Sequence, residues 1–414
     1  MTNEVLQKIA SDEQNISSSN GLEPSLRFTG FYENWHEKYI KDVADVIGGG
    51  TPDTTKLEYW NGNIQWFTPT EIGHNKYVNK SKRTITEKGL KNSSAKLLPP
   101  KTILLTSRAT IGECSIIEKE CATNQGFQSL VPNSLINNEF CYYLINTKKK
   151  ELLRKASGST FLEISNSEIK QIKCKFPSLL EQQKIADFLF LVDRRIEKQR
   201  QLVESLKKYK RGLFFEIFEQ KRRFKDGNNK FYPKWEKKSL GTIFKERTER
   251  AIGNEELLSV TINSGVKKRC EVDVKDNSSD DKSKYKKLYP NDIAYNTMRM
   301  WQGASGVSLY EGIVSPAYTV ITTIIPVKIG FFGYYFKYIK TIQIFQKFSQ
   351  GLTSDTWNLK YPQLSEIQLL IPNIEEQEKI YETFKFLDDK ILLSENTLNL
   401  LQDIKKGLLQ KMFI

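Results

Sequence analysis

Hydrophobic residues recur at alternating steps of four and three along two stretches of this 414-residue chain. This spacing is a heptad seam, which predicts two long α-helices that each pack against another helix. The seam residues are Ile185, Leu189, Val192, Ile196, Val203, Leu206, Leu213 and Ile217 in the first stretch, and Ile380, Phe384, Leu387, Ile391, Leu398, Leu401, Leu408 and Met412 in the second.

The two stretches are copies of each other. Residues 177–218 align without a gap with residues 372–413, at an offset of 195. The polar interruptions of the seam are repeated too, since Gln199 and Lys210 are matched by Ser394 and Lys405. Ordinary packing helices would explain the apolar stripes alone. The matched interruptions favour two helices that pair with each other in an antiparallel coiled coil.

Each predicted helix begins just after a proline and opens with one or two glutamates, where the missing N–H of proline costs nothing and carboxylates favour the positive end of the helix dipole. The first helix is expected from about Glu181 to Glu219, roughly 58 Å at 1.5 Å per residue. It therefore acts as a spacer as well as a core element.

A weaker repeat lies upstream of each helix. Phe31 and Trp35 in FYENW match Phe231 and Trp235 in FYPKW. The sequences that follow differ between the halves, and both consist of short β-type runs broken by Gly, Asn and Pro, with helical patterns at 137–156 and 330–350. Each half is thus predicted to be a variable domain enclosed by a repeated frame.

The predicted fold class is α+β, with two recognition domains of mixed β-sheet and helices separated by two long conserved helices in pseudo-two-fold symmetry. The expected division is a polar tail (1–25), a first domain (26–176), helix 1 (177–220), a linker (221–230), a second domain (231–371) and helix 2 (372–414). A hydrophobic content of 39% is enough for several such cores.

The net charge is +14, which favours polyanions, and nucleic acid is the commonest of these in cells. A basic protein with no nucleic-acid partner remains an alternative on charge alone. The first 26 residues contain no apolar run suited to a signal peptide or membrane span, so a cytoplasmic location is expected. Five scattered cysteines suggest neither disulfides nor zinc: Cys114, Cys121, Cys141, Cys174 and Cys270.

The sequence lacks the motifs of a catalytic subunit. It has no G-x-x-x-x-G-K-[ST] motif for binding a nucleoside triphosphate and no N-P-P-[FY] motif for methyl transfer. His36 and His74 are the only histidines. Asp388, Asp389 and Lys390 lie on the second long helix, where solvation or partner contact explains them better than a nuclease site does. We expect no metal site, no catalytic residue and no cofactor bound by this chain.

Polar and cationic residues near strand ends are the candidates for DNA contact, although packing in turns or sheets explains any single one equally well. Arg108 and Arg299 stand out because each follows a β-run. The candidates are Thr51, Trp66, Thr68, Thr70, Arg108, Thr110, Asn124 and Gln125 in the first domain, and Asn296, Arg299, Trp301, Gln302, Ser305, Ser354 and Trp357 in the second.

Taken together, the chain resembles the specificity (S) subunit of type I restriction-modification enzymes from about Leu26 to Ile414. The motifs that carry the resemblance are GGGTP (48–52), YWNGNIQWFT (59–68), TSRATIGE (106–113), NQGF (124–127), the paired FPSLLEQQKIADFL and IPNIEEQEKIYETF, YNTMRMWQGASG, and SPAYTV (315–320).

The resemblance implies that two target recognition domains each read half of a bipartite DNA sequence, and that the paired helices fix the gap. It further implies docking of two methyltransferase subunits that hold S-adenosylmethionine, and of restriction and translocase subunits that use ATP and Mg²⁺. The second domain lacks a GGGTP equivalent and the tryptophan-rich entry, so an asymmetric target is expected. Two other hypotheses remain open: a stand-alone nuclease or modification enzyme, and a coiled-coil scaffold for proteins.

Overall fold

The computed structural model describes residues 23–158, 162–253, 255–262, 264–272, 281–353 and 356–414. Residues 1–22 of the predicted polar tail and the candidate Ser354 lie outside these ranges. The chain forms two compact units, one of residues up to Arg200 with Thr397–Ile414, the other of Gln201–Asn396. Each long helix therefore contributes one part to each unit. The division predicted from the sequence instead keeps each helix whole.

The described residues of the first unit form ten strands, five short helices and part of each long helix. Its strands are β1 (His36–Tyr39), β2 (Ala44–Gly48), β3 (Trp60–Phe67), β4 (Tyr77–Val78), β5 (Arg83–Ile85), β6 (Ile103–Leu105), β7 (Cys114–Ile117), β8 (Cys121–Thr123), β9 (Gln128–Pro132) and β10 (Lys173–Phe176). Its helices are α1 (Ile40–Val43), α2 (Glu87–Lys91), α3 (Asn138–Thr147), α4 (Lys149–Lys155), α5 (Asn166–Lys170) and the first part of α6 (Leu179–Phe218).

The described residues of the second unit also form ten strands, with three short helices and part of each long helix. Its strands are β11 (Glu236–Ser239), β12 (Phe244–Glu246), β13 (Leu258–Thr261), β14 (Gly265–Lys268), β15 (Lys286–Leu288), β16 (Ile293–Asn296), β17 (Ser305–Val307), β18 (Gly312–Val314), β19 (Tyr318–Thr323) and β20 (Gln368–Ile371). Its helices are α7 (Ile329–Tyr335), α8 (Ile339–Phe348), α9 (Tyr361–Glu366) and α10 (Ile374–Met412).

The main sheets of the two domains share the order of four strands despite the different sequences. The main sheet of the first unit has the order β2-β9-β6-β7-β4, and that of the second has β12-β19-β16-β17. The pairs β1-β10 and β11-β20 close each domain in the same antiparallel way. The α+β prediction is confirmed. The domains differ in their smaller sheets, since the first has a three-stranded sheet of order β5-β3-β8 and the second has the two-stranded sheets β13-β14 and β15-β18.

The long helices run antiparallel within each unit. In the second unit, Lys207 pairs with Glu395 at 2.9 Å, while Phe214, further along α6, meets Phe384, earlier on α10, with ring centroids 5.2 Å apart. The helix predicted from about Glu181 to Glu219 spans Leu179–Phe218. Its seam residues include Ile185 and Leu189, which are 2% and 0% exposed.

The end of each long helix completes the core of the domain that it reaches. In the first unit, Phe413 packs against Trp35 and Phe140, with ring centroids 6.4 and 5.2 Å away. In the second, Phe218 does the same against Trp235 and Phe331, at 6.3 and 5.9 Å. The aromatic residues that frame the sequence repeat are thus the residues that attach helix to domain.

The start of each long helix is held by a buried ion pair. Arg27 donates to Glu181 at 2.8 Å, and Arg223 donates to the equivalent Glu376 at 3.2 Å. Both carboxylates are buried, at 2% and 1% exposure. The acidic residues therefore do more than favour the helix dipole, because a carboxylate taken out of water needs a charged partner.

Candidate nucleic-acid interface

Two parallel strands bring the first group of candidate residues to one sheet edge. Strands β3 and β8 run parallel with Phe67 opposite Thr123. Asn124, the residue that follows β8, donates its backbone N–H to the Phe67 carbonyl at 3.0 Å. Because parallel strands end at the same edge, the loops beginning at Thr68 and Asn124 leave the sheet side by side.

The glycine-rich segment approaches this edge closely. The Gly50 N–H donates to the Thr123 carbonyl at 2.8 Å. A Cβ on Gly49 would overlap the carbonyl oxygen of Asn124, so only glycine fits there. A Cβ on Gly126 would lie 2.7 Å from the Pro69 ring. The GGGTP and NQGF motifs are therefore neighbours in space, held together by backbone contacts.

Five of the eight candidates in the first domain gather here. Thr51 donates to the side-chain oxygen of exposed Gln125. Thr68 is half-buried and bonds the Glu71 carboxylate, Thr70 is exposed, and the Asn124 side chain accepts from the Gly126 N–H at 2.9 Å. The cluster of Thr51, Thr68, Thr70, Asn124 and Gln125 is called the first polar cluster below.

Trp66 has a different place. It is 4% exposed, its ring lies 5.1 Å from that of Trp60 in an edge-on arrangement, and its indole N–H donates to the Gly50 carbonyl at 2.9 Å. Trp66 thus stabilises the glycine-rich segment through a buried hydrogen bond.

Arg108 and Thr110 lie on the adjoining loop between β6 and β7. Both are exposed, and Arg108 forms an ion pair with Glu163 at 2.8 Å. The loop is fixed where it leaves the sheet, because Ser107 donates to the Gly126 carbonyl at 2.8 Å and accepts from the Ile164 N–H at 3.1 Å.

The second domain has an equivalent loop between β16 and β17, bonded in the same pattern. Thr297 donates to the Ala317 carbonyl at 3.2 Å and accepts from the Leu359 N–H at 2.9 Å. Thr297 therefore corresponds to Ser107, Ala317 to Gly126 and Leu359 to Ile164. NQGF has its structural counterpart in SPAY (315–318), a correspondence hidden in the sequence.

Most candidates of the second domain lie on or beside this loop, which we call the second recognition loop (residues 296–304). Arg299 is exposed, and Asn296, Trp301 and Gln302 are half-buried. Trp301 packs edge-on against Trp357 with ring centroids 5.1 Å apart. Ser305 is 1% exposed in β17, so its side chain belongs to the core.

One cation beside the first polar cluster was missing from the sequence-based candidates. Arg83 pairs with Trp66 across β5 and β3, and its guanidinium lies 3.5 Å from the centre of the Trp60 ring. Its side chain is exposed. Nothing in the sequence distinguishes this arginine, since the stacking depends on the cross-strand register.

A basic cleft of about 1170 Å³ lies in the second unit between its domain and the long helices. Asp388 on α10 accepts from the Tyr334 hydroxyl at 2.6 Å and forms an ion pair with Lys210 on α6. Asp388 thus contacts both the domain and the other long helix. The cleft's cationic lining residues are Lys210, Arg211, Lys328, Lys337 and Lys385.

The first unit repeats these contacts among an aspartate, a tyrosine and a lysine, and it places a further lysine, Lys76, beside them. Asp193 accepts from Tyr143 at 2.7 Å and pairs with Lys405 at 2.6 Å. Lys76 also donates to Tyr143, at 2.8 Å, and its ammonium lies 5.4 Å from the centre of the Tyr142 ring. Burial lowers the pKa of Lys76.

The two domains share the order of four main-sheet strands, present polar loops at equivalent sheet edges and pack on paired long helices, and these features define a duplicated recognition protein. Within the described ranges, no helix is both long enough and apolar enough to cross a membrane.

The family model for the type I restriction modification DNA specificity domain matches residues 32–208 and 232–403. The chain is 32% identical to the MjaIX specificity subunit of Methanocaldococcus jannaschii over 92% of this chain and 93% of that one. It is 30% identical to the EcoR124I/EcoR124II specificity subunit of Escherichia coli over 37% and 39%.

The fold is similar to that of a solved type I S subunit from M. genitalium, with a TM-score of 0.57 and 18% identity over 95% of this chain and 99% of that one. This chain belongs to the family of type I restriction-modification specificity subunits. Such subunits are the non-catalytic DNA-recognition components of their systems.

Proposed function

We propose that this chain reads a bipartite, asymmetric DNA target, with one half-site for each domain. The supporting observation is that Ser107 and Thr297 hold equivalent loops by the same two backbone hydrogen bonds, while the side chains that those loops present differ. A shared frame with different side chains suits two readers of different sequences, because base edges are distinguished by the donors and acceptors that meet them.

Exchange of residues 26–176 for the corresponding domain of another specificity subunit tests this directly. The recognised sequence should change in one half-site only, as measured by methylome sequencing of cells that carry the complete system. A change in both half-sites would contradict independent reading.

The same proposal gives the long helices the role of setting the spacer between half-sites. Both pass from one unit into the other, and each spans roughly 60 Å at 1.5 Å per residue. Insertion of one heptad after Gln199 and one after Ser394 preserves the seam and adds about 10 Å to each helix. We expect a spacer longer by about three base pairs and unchanged half-sites. Altered half-sites at a constant spacer would refute this role.

We also propose that each unit docks one methyltransferase subunit, which supplies S-adenosylmethionine, and that restriction and translocase subunits using ATP and Mg²⁺ join this assembly in the cytoplasm. Equivalent exposed apolar residues support two equivalent sites, since Leu191 on α6 is 61% exposed and Phe386 on α10 is 65% exposed. Leu191→Glu and Phe386→Glu should each remove one methyltransferase subunit in native mass spectrometry. Glu197→Gln, an exposed neighbour, serves as the control.

Binding to DNA should weaken steeply with salt, because the chain carries a net charge of +14. Six to ten phosphate contacts would lower affinity by about 10³- to 10⁵-fold between 50 and 200 mM salt. A flat salt response of the assembled complex, or cleavage of DNA by the purified chain alone, would count against the proposal.

A further inference from the structure

The second recognition loop is held rigidly by its own backbone. Asn296 donates to the Ala304 carbonyl at 2.9 Å, and Ala304 donates back to the Arg299 carbonyl at 3.1 Å. The Gln302 N–H donates to the same carbonyl at 2.9 Å. A side chain on such a loop is presented in a fixed position, which reduces the entropy that binding would otherwise cost.

Arg299 is the cation that this loop presents. It is the sole charged residue between Asp292 and Glu311 in the sequence. Its side chain is exposed, and it forms no ion pair with any residue in the described ranges. Arg247, by contrast, is bound to Asp292 through two hydrogen bonds of 2.7 and 3.0 Å.

In the first domain, the corresponding loop carries an arginine that is paired with a carboxylate. There, Glu163 pairs with Ser157 in a short bridge and holds Arg108 by an ion pair. The equivalent bridge in the second domain joins Gln350 to Asn358. Asn358 occupies the position of Glu163, so the second domain has an uncharged amide where the first has a carboxylate. Met298 follows Thr297 where Arg108 follows Ser107, and Arg299 is the next residue along the loop.

We propose that Arg299 determines one base of the second half-site by donating two hydrogen bonds to a guanine. This inference rests on the proposed DNA-reading function. A guanidinium matches the O6 and N7 acceptors of guanine in the major groove, and this is the commonest specific contact of arginine with DNA. Trp301 and the amide of Gln302 closely follow Arg299 in the loop, and side chains of these kinds also meet base edges in the grooves of DNA.

The test is selection of bound duplexes from a randomised pool by the full chain, purified with the subunits that accompany it. Arg299→Ala, Arg299→Gln and Arg299→Lys are compared with the unaltered chain. Arg222→Ala is the matched control, because Arg222 is exposed, lies in the same unit and pairs with Glu216 at 2.9 Å. Thermal unfolding of each variant verifies that the second unit is folded.

Arg299→Ala should lower discrimination for guanine at a single position of the second half-site by about 10- to 100-fold, with the first half-site unchanged. Arg299→Gln should shift that position toward adenine, whose N6 and N7 suit an amide. Arg299→Lys should keep overall affinity but lose part of the discrimination, since lysine lacks the planar fork.

Equal weakening on all sequences, with restoration by lysine, would assign Arg299 to a phosphate and overturn the proposal. Unchanged base preference in all three variants would overturn it as well. If the unaltered chain itself selects no sequence, the proposed function fails, and that result is distinguishable from a failure confined to Arg299.

Discussion

The backbone N–H of Leu26 donates to the carbonyl oxygen of Lys411 at 2.9 Å, so the beginning of the first domain lies against the end of the last helix. The continuous chain makes the same contact in the second unit, where Arg222 donates to the Glu216 carbonyl at 3.1 Å. Glu216 and Lys411 occupy equivalent positions of the repeat. The hydrogen bond is present in both units. In the second unit the helix also continues directly into the domain through the peptide chain, whereas in the first unit it does not.

A circular permutant is therefore expected to fold. Ile414 would be joined to Glu23 by a short Gly/Ser linker, and the chain would be opened in the exposed turn at 227–229, where few contacts cross. Circular dichroism and thermal unfolding should match those of the parent. Opening the chain inside β16 instead should prevent folding, because that strand is buried between β17 and β19.

The paired aspartates should each stabilise their own unit. Asp388→Ala leaves the Tyr334 hydroxyl and Lys210 without their acceptor, and we expect a loss of about 1 to 2 kcal/mol. Hydrogen exchange should rise in α7 and the end of α6. Asp193→Ala should act likewise on α3 and the end of α10.

Asp389→Ala is the control for this pair, since Asp389 forms an exposed ion pair with Lys385. Such a pair contributes less than about 0.5 kcal/mol. An equal loss from Asp389→Ala and Asp388→Ala would show that the tyrosine and interhelix contacts do not matter.

Gly49→Ala should disturb the first polar cluster, because the added methyl group would overlap the Asn124 carbonyl. We expect weaker binding and altered preference at one half-site, measured by selection from a randomised pool, with the other half-site unaffected. Gly227→Ala is the control, as nothing lies within 4 Å of the added atom. An unchanged first half-site in Gly49→Ala would place the reading surface elsewhere.

Lys337 should make the stability of the second unit depend on pH. Burial lowers its pKa to about 8, against about 10.4 in an unfolded chain. Between these values the folded state binds fewer protons than the unfolded state, so the free energy of unfolding contributed by this group rises with pH.

Denaturant unfolding should therefore show that the free energy of unfolding of the parent increases relative to that of Lys337→Met as the pH rises from 7 to 10. The increase should be at most about 3 kcal/mol. A difference that stays constant with pH would show that Lys337 does not titrate in this range.

The repeat and the two long helices could be predicted from the sequence alone, because heptad spacing and a gapless duplication are visible in the order of residues along the chain. The net charge and the family motifs also indicated DNA as the target. The β-runs at KTILLTS, DIAYNTM and YTVITT were also readable, and they form β6, β16 and β19. Trp66 shows the limit, since an aromatic residue in a motif is equally suited to packing and to contact.

Only the tertiary structure decided which residues share a surface. Ser107 and Thr297 correspond through backbone hydrogen bonds, which have no sequence signature, so domains that differ in sequence were found to share one frame. Whether an arginine forms an ion pair depends on residues far along the chain: Glu163 pairs with Arg108, whereas Arg299 forms no ion pair with any residue in the described ranges. Such pairings arise from folding, because hydrogen bonding and charge act over distances in space and not along the sequence.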